Sequence, residues 1–130
     1  AMWTREVQGM IDRIKESDWK LFRQKLPGWQ EAYMEKLLDG YAELIASDGA
    51  ASYRFWELDK LIKQDKKNSG VIIVGLSRSQ AINQIVGLIE DGVITLDDLD
   101  EFSDETRERV IRIHEILHME FKDVDEEDDE

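Results

Sequence analysis

Apolar residues along this 130-residue chain return mostly at three- and four-residue steps, the repeat that gathers side chains on one face of a helix. Trp3, Val7, Met10, Ile11 and Ile14 predict a first helix from Trp3 to Lys15. Trp19, Leu21, Phe22 and Leu26 predict a short amphipathic stretch that Pro27 is expected to stop or kink, because a proline disfavours helical geometry in the residue before it. Trp29, Tyr33, Leu37, Tyr41 and Ile45 step by four. With Met34, Leu38 and Leu44 they form a wide stripe on a long helix that Asp48 and Gly49 close.

Ser52 is placed to cap the next helix, which buries Phe55, Leu58, Leu61 and Ile62 and gathers Lys63, Lys66 and Lys67 in its last turn, where cations oppose the helix dipole. Asn68, Ser69 and Gly70 end it. Val71, Ile72, Ile73 and Val74 have strand character but are too few for a sheet, so a buried connector is expected. Its alternative is pairing with Val93 and Ile94, or with its own copy in a dimer.

Ser77 or Ser79 can cap a helix carrying Ile82, Ile85, Val86 and Ile89, with Gly92 where a left-handed terminator belongs. Thr95 caps a turn through Leu99 to Phe102, and Ser103 opens a last helix striped by Val110, Ile113, Leu117 and Phe121. The pattern predicts an all-α compact bundle of about five or six helices. Residues 1–122 form the helical domain, and residues 123–130 a disordered acidic tail, since its like charges repel and leave almost nothing to bury.

Charge narrows the range of partners. The net charge is −13, and the seven acids after Lys122 supply only part of it, so the body is acidic too. Such a surface repels the phosphate backbone, and direct nucleic-acid binding is not expected. No apolar run approaches the ~20 residues that span a bilayer, and the start does not resemble a signal peptide, so a cytoplasmic protein without membrane contact is expected. The absence of cysteine removes disulfides, thiolate chemistry and zinc sites of the Cys type.

The segment from Trp29 to about Thr106 resembles a family of small uncharacterised proteins, chiefly of Gram-positive bacteria, some labelled "multidrug transporter". The likeness is carried by Phe55-Trp56-Glu57-Leu58, Asp65-Lys66-Lys67, Gly92-Val93-Ile94-Thr95 and Asp98-Leu99. These look like packing and capping positions, and the resemblance implies no activity. The transporter label conflicts with a chain that has no stretch able to cross a membrane.

His114-Glu115-Ile116-Leu117-His118 matches the H-E-x-x-H pattern of zinc peptidases. Histidines four apart on a helix face one way and can share a metal, with Glu115 activating a bound water. A third protein ligand is still required. Phe121 and Val124 stand where the longer motif has its glycine and third ligand, and Arg112 and Glu120 put charges at flanking positions that are uncharged in those peptidases. Asp125, or a residue of another helix, could supply the missing ligand. In the contrasting interpretation His114 belongs to the packing stripe of Val110, Leu117 and Phe121, and His118 to its edge.

Other motifs fail on their chemistry. A calcium loop centred on Gly92 would put Gly87 and Ile89 where oxygen ligands are needed. A helix-turn-helix from Ser77 to Phe102 would present Asp97, Asp98, Asp100 and Glu101 to DNA. Lys60, Lys63, Lys66 and Lys67, beside Arg78 and the helix start at Ser77 and Ser79, suggest an anion site at Lys66, Lys67 and Arg78, without a glycine-rich phosphate loop. Trp19 and Trp56 lie off the main stripes of their helices and are candidate partner anchors.

The expected function is a non-enzymatic protein-interaction module without a cofactor, binding an unidentified protein partner or itself. The alternatives are a zinc-dependent hydrolase using His114, Glu115 and His118, and an acidic nucleic-acid mimic.

Overall fold

The computed structural model describes residues 13–128, and the side chains of residues 13–119. Four α-helices, and no strand, are found among the described residues: α1 (Glu16–Ala46), α2 (Ala51–Asp65), α3 (Ala81–Glu90) and α4 (Asp104–Asp128), with short 3-10 turns at Arg78–Gln80 and Leu96–Leu99. The all-helical class is as the periodicity predicts. Among the described residues there are four helices, against five or six predicted for the whole chain, and the predicted helix from Trp3 to Lys15 falls almost wholly outside the described residues. No helix among the described residues is long and apolar enough to cross a membrane.

Part of the difference in number comes from Pro27. Instead of stopping a helix it lies inside α1, which continues for 31 residues. Pro27 and Gly28 sit on the exposed face, so the missing N–H costs one backbone bond on the solvent side. Phe22, Leu26 and Trp29 pack on the other side and hold the helix across that gap.

The core occupies one end of the molecule. Ile14, Phe22 and Leu26 meet Ala81, Ile82, Ile85, Val86 and Leu88 of α3, and Ile94, Leu99, Phe102 and Val110 complete the cluster. Trp29 continues it, with its ring centroid 6.3 Å from both Phe22 and Phe102. Beyond Leu26 no residue of α1 is fully buried, and α2 has none. The rest of α1 and all of α2 therefore form a hairpin arm in mutual contact along a half-buried seam.

A carboxylate joins the two long helices at the core end. Asp18, 3 % exposed, accepts from the Ser103 backbone N–H at 3.1 Å, Ser103 Oγ at 2.5 Å and Thr106 Oγ1 at 2.6 Å. Burial works to raise its pKa, but the hydrogen bonds from Ser103 and Thr106, helped by the charge of Lys15, outweigh it and hold the carboxyl below its usual value of 3.8. Ser103 meanwhile receives the Thr106 backbone N–H at 3.3 Å, the N-terminal cap expected of it.

The connections follow the predicted caps in part. Ser77 accepts from the Gln80 N–H and opens the first 3-10 turn. Thr95 and Asp98 form a reciprocal capping box over the second. Gly92 has φ +77°, the left-handed geometry that ends α3. Ser52 does not cap α2, whose N-cap is Ala50 without a side-chain bond.

The Val71–Val74 segment is a connector as expected, but not a buried one. Ile73 packs on the core, while Ile72 and Val74 are exposed. The alternative pairing of this segment with Val93 and Ile94 is not seen, the N–H groups of both going to the Leu88 carbonyl. It is Gly70, just before the segment, that meets Val93, where a Cβ would lie 2.7 Å from Val93 Cγ2 and overlap the Tyr33 ring. At the other end, α4 is helical to Asp128, where the charge run predicted disorder from Asp123.

Candidate functional site

α3 ends on Glu90, and its buried stripe of Ile82, Ile85 and Val86 fixes which way that last turn faces. Gly92 turns the chain, with the Val93 N–H bonded back to the Leu88 carbonyl at 2.9 Å. α4 then returns along α3 with Val110 in the core. This packing sets His114 and His118, one turn apart on α4, over the end of α3.

His114 Nδ1 lies 2.7 Å from Glu90 Oε1, and His118 Nε2 lies 3.3 Å from the same oxygen. One ligand atom from each of the three residues falls within 4.8 Å of the others. The imidazole centroids are 4.2 Å apart with planes inclined at 60°. Glu90 and His114 are partly screened, whereas His118 is largely open to solvent. His114 also borders an open groove of about 450 Å³ formed with Ile89, Gly92, Thr95, Leu96 and Asp97.

The two histidines of the H-E-x-x-H stretch are thus brought together, as their spacing predicts. Glu115 is exposed and outside the three-residue cluster. Sequence reasoning missed Glu90. Its one signal was position: an acid on the last turn of the helix preceding α4, just before a glycine terminator, ends up level with one stretch of α4 once the two helices pack as a hairpin. Asp125 lies in α4 itself, nearly two turns past His118, and its side chain is outside those described.

The remaining candidates separate. Trp19 is part of the core packing, 6.2 Å from the Phe22 ring and covered by Arg23 at 5.0 Å. It is therefore not a free anchor, and its place off the local stripe reflects a core contact outside α1's own seam. Trp56 is 65 % exposed and meets Phe55, 64 % exposed, edge to face at 5.1 Å. Arg78 Nε donates to the Ile14 carbonyl at 2.9 Å, tying the segment ahead of α1 to the 3-10 turn. Lys66 and Lys67 instead stand exposed where α2 ends.

The arm presents a second feature, formed where the predicted stripes of its two helices meet. Met34, Leu37, Leu38, Tyr41, Ile62 and Val71 border an almost wholly apolar groove of about 190 Å³. Tyr41 donates to Asp65 in its lining, and further bonds tie α1 to the segment after α2: Asn68 Nδ2 donates to Tyr33 Oη at 3.0 Å, and Gln30 Nε2 to the Ser69 carbonyl at 3.0 Å. Burial, the bond to Asp65 and the charge of that carboxylate push the Tyr41 phenol up to about 12.

Comparison of the chain with models of protein families, with curated proteins and with solved structures gave no match.

Proposed function

We propose that the protein is a helical interaction module whose α1–α2 arm pairs with the arm of a second copy of the chain. The observation that carries this is an uncovered coiled-coil pattern. Met34, Leu38, Tyr41 and Ile45 follow the 4-3-4 spacing of such a seam, yet Leu38 is 58 % and Ile45 52 % exposed. On α2, Phe55 and Ile62 are one heptad apart and Phe55 is exposed.

Area supports a protein-sized partner. Leu38, Ile45, Phe55 and Trp56 are each more than half exposed, which amounts to roughly 400 Å² of apolar surface. A standard interface of about 800 Å² per partner, a little over half of it apolar, needs about that much. Charge supports a second copy as that partner. Glu31, Glu35, Asp39 and Glu43 are exposed on the α1 half of the arm; α2 itself balances Arg54, Lys60 and Lys63 against Glu57, Asp59 and Asp65, and its basic surplus lies at Lys66 and Lys67, exposed just past its end. A two-fold pairing of arms sets each acidic α1 against Lys66 and Lys67 of the other copy, a self-complementary arrangement of the isologous kind.

Sedimentation across a concentration series tests this. The wild type is expected to form dimers with a dissociation constant of about 10 μM or tighter. Leu38→Glu and Phe55→Glu, at side chains already exposed, should keep the helical circular dichroism and weaken association at least ~30-fold, the effect of losing an interface anchor. A wild type that stays monomeric to about 1 mM, or variants that dimerise like it, would rule the pairing out.

A further inference from the structure

We infer that Glu90, His114 and His118 form a binding site for one divalent transition-metal ion, with zinc the class best matched. This is independent of the arm and of any pairing through it. The donor set is two imidazole nitrogens and one carboxylate oxygen, which suits zinc, nickel, copper and cobalt. Calcium and magnesium prefer six or more oxygens, or several retained waters, and are poorly served.

The distances are close to those a bound ion requires. In a tetrahedral zinc site with bonds of about 2.0–2.1 Å, neighbouring ligand atoms lie about 3.3 Å apart. His118 Nε2 and Glu90 Oε1 are already at 3.3 Å, and His114 Nδ1 needs to withdraw a little from its 2.7 Å contact. One ligand atom from each residue lies within 4.8 Å of the others, so a bound ion would need to draw any pair together by about 1.5 Å at most.

The backbone supplying the ligands is preorganised on two elements. Glu90 rides on α3, pinned by five buried residues, and the histidines on α4, pinned by Val110 and by the Asp18 bonds to Ser103 and Thr106. An ion at this point ties the end of α3 to the middle of α4. The site faces solvent on the His118 side, leaving a fourth position for water or an external ligand. His114 presents Nδ1 toward Glu90 whereas His118 presents Nε2, and Glu115 lies outside the cluster. The inference is therefore metal binding, with no peptidase step attached to it.

Titration calorimetry and equilibrium dialysis of the untagged full chain with zinc chloride provide the test. One zinc per chain should bind with micromolar or better affinity, and the thermal midpoint should rise by about 5 °C or more when zinc is in hundredfold excess over its dissociation constant. His118→Ala, at an exposed side chain where folding is not at risk, and Glu90→Gln should each weaken binding at least tenfold. Cobalt should bind more weakly than nickel or copper, following the usual affinity order, and calcium should not displace zinc. Absence of stoichiometric binding at about 100 μM zinc, or binding of equal strength in His118→Ala, would overturn the assignment. The second result would mean adsorption to the acidic surface instead.

Discussion

Replacing Asp18 with alanine removes the acceptor for three hydrogen bonds, from Ser103 N–H, Ser103 Oγ and Thr106 Oγ1. Thr106 is 1 % exposed, so its hydroxyl is left in the interior without that partner, which costs about 1–3 kcal/mol. Ser103 is only half-buried, and water can replace part of what it loses. The net expectation is a loss of about 3 kcal/mol, or about 10 °C in thermal midpoint for a chain of this length. Asp18→Asn keeps an acceptor toward Ser103 and should lose about half as much. The pH dependence has a definite sign. The folded carboxyl titrates below 3.8, so the unfolded chain takes up its proton first on acidification. The contribution is complete at neutral pH and disappears as pH falls through the folded pKa. Urea denaturation of wild type and Asp18→Asn at neutral pH and near pH 3 should show a gap that narrows in acid. Asp18→Ala within about 0.5 kcal/mol of wild type, or a gap independent of pH, would refute the view that this carboxylate locks α4 to α1.

Two further substitutions test the base of the arm. Gly70→Ala places a Cβ against the Tyr33 ring and 2.7 Å from Val93 Cγ2, and chemical denaturation should show a loss of about 1–3 kcal/mol from overpacking. Tyr41→Phe removes the hydrogen bond to Asp65 and should cost about 1–2 kcal/mol at neutral pH. Because the Tyr41 phenol is raised to about 12, its contribution is complete below the ordinary tyrosine pKa of about 10 and declines as pH climbs toward 12. The gap between wild type and Tyr41→Phe should shrink over that alkaline range.

What the sequence made legible was whatever depends on neighbours three or four residues away. Ile82, Ile85, Val86 and Val110 are core residues because their helices repeat at that step, and Gly92 and Thr95 end and begin elements through bonds to adjacent backbone. Pro27 misled for a long-range reason: Phe22, Leu26 and Trp29 gain enough from the core to carry α1 past one missing bond. Asp18 and Glu90 look like ordinary surface acids, since the partners that give them a role lie 85 and 24 residues away. Trp19 and Trp56, both candidate anchors in the sequence, part for a related reason. Trp19 lies off the stripe of its own helix yet packs on the core, while Trp56 belongs to a helix that reaches no core.

α1 is what divides the molecule. Its first three turns supply Phe22 and Leu26 to a cluster closed by α3 and α4, Trp29 continues that cluster, and the later apolar residues of the helix lie against α2 and the segment after it. A long helix with a continuous stripe but a core along less than half its length leaves the outer half of that stripe half-covered. The joint between the two regions is specific. Ser69, just after α2, donates through its N–H at 3.1 Å and its hydroxyl at 2.6 Å to Asp91 Oδ2, and Asp91 is the residue after Glu90. The end of α3 thus anchors the arm through one carboxylate and offers the neighbouring carboxylate to the two histidines. The buried stripe of α3 sets the direction of that last turn, and Gly92 ends the helix just after both carboxylates.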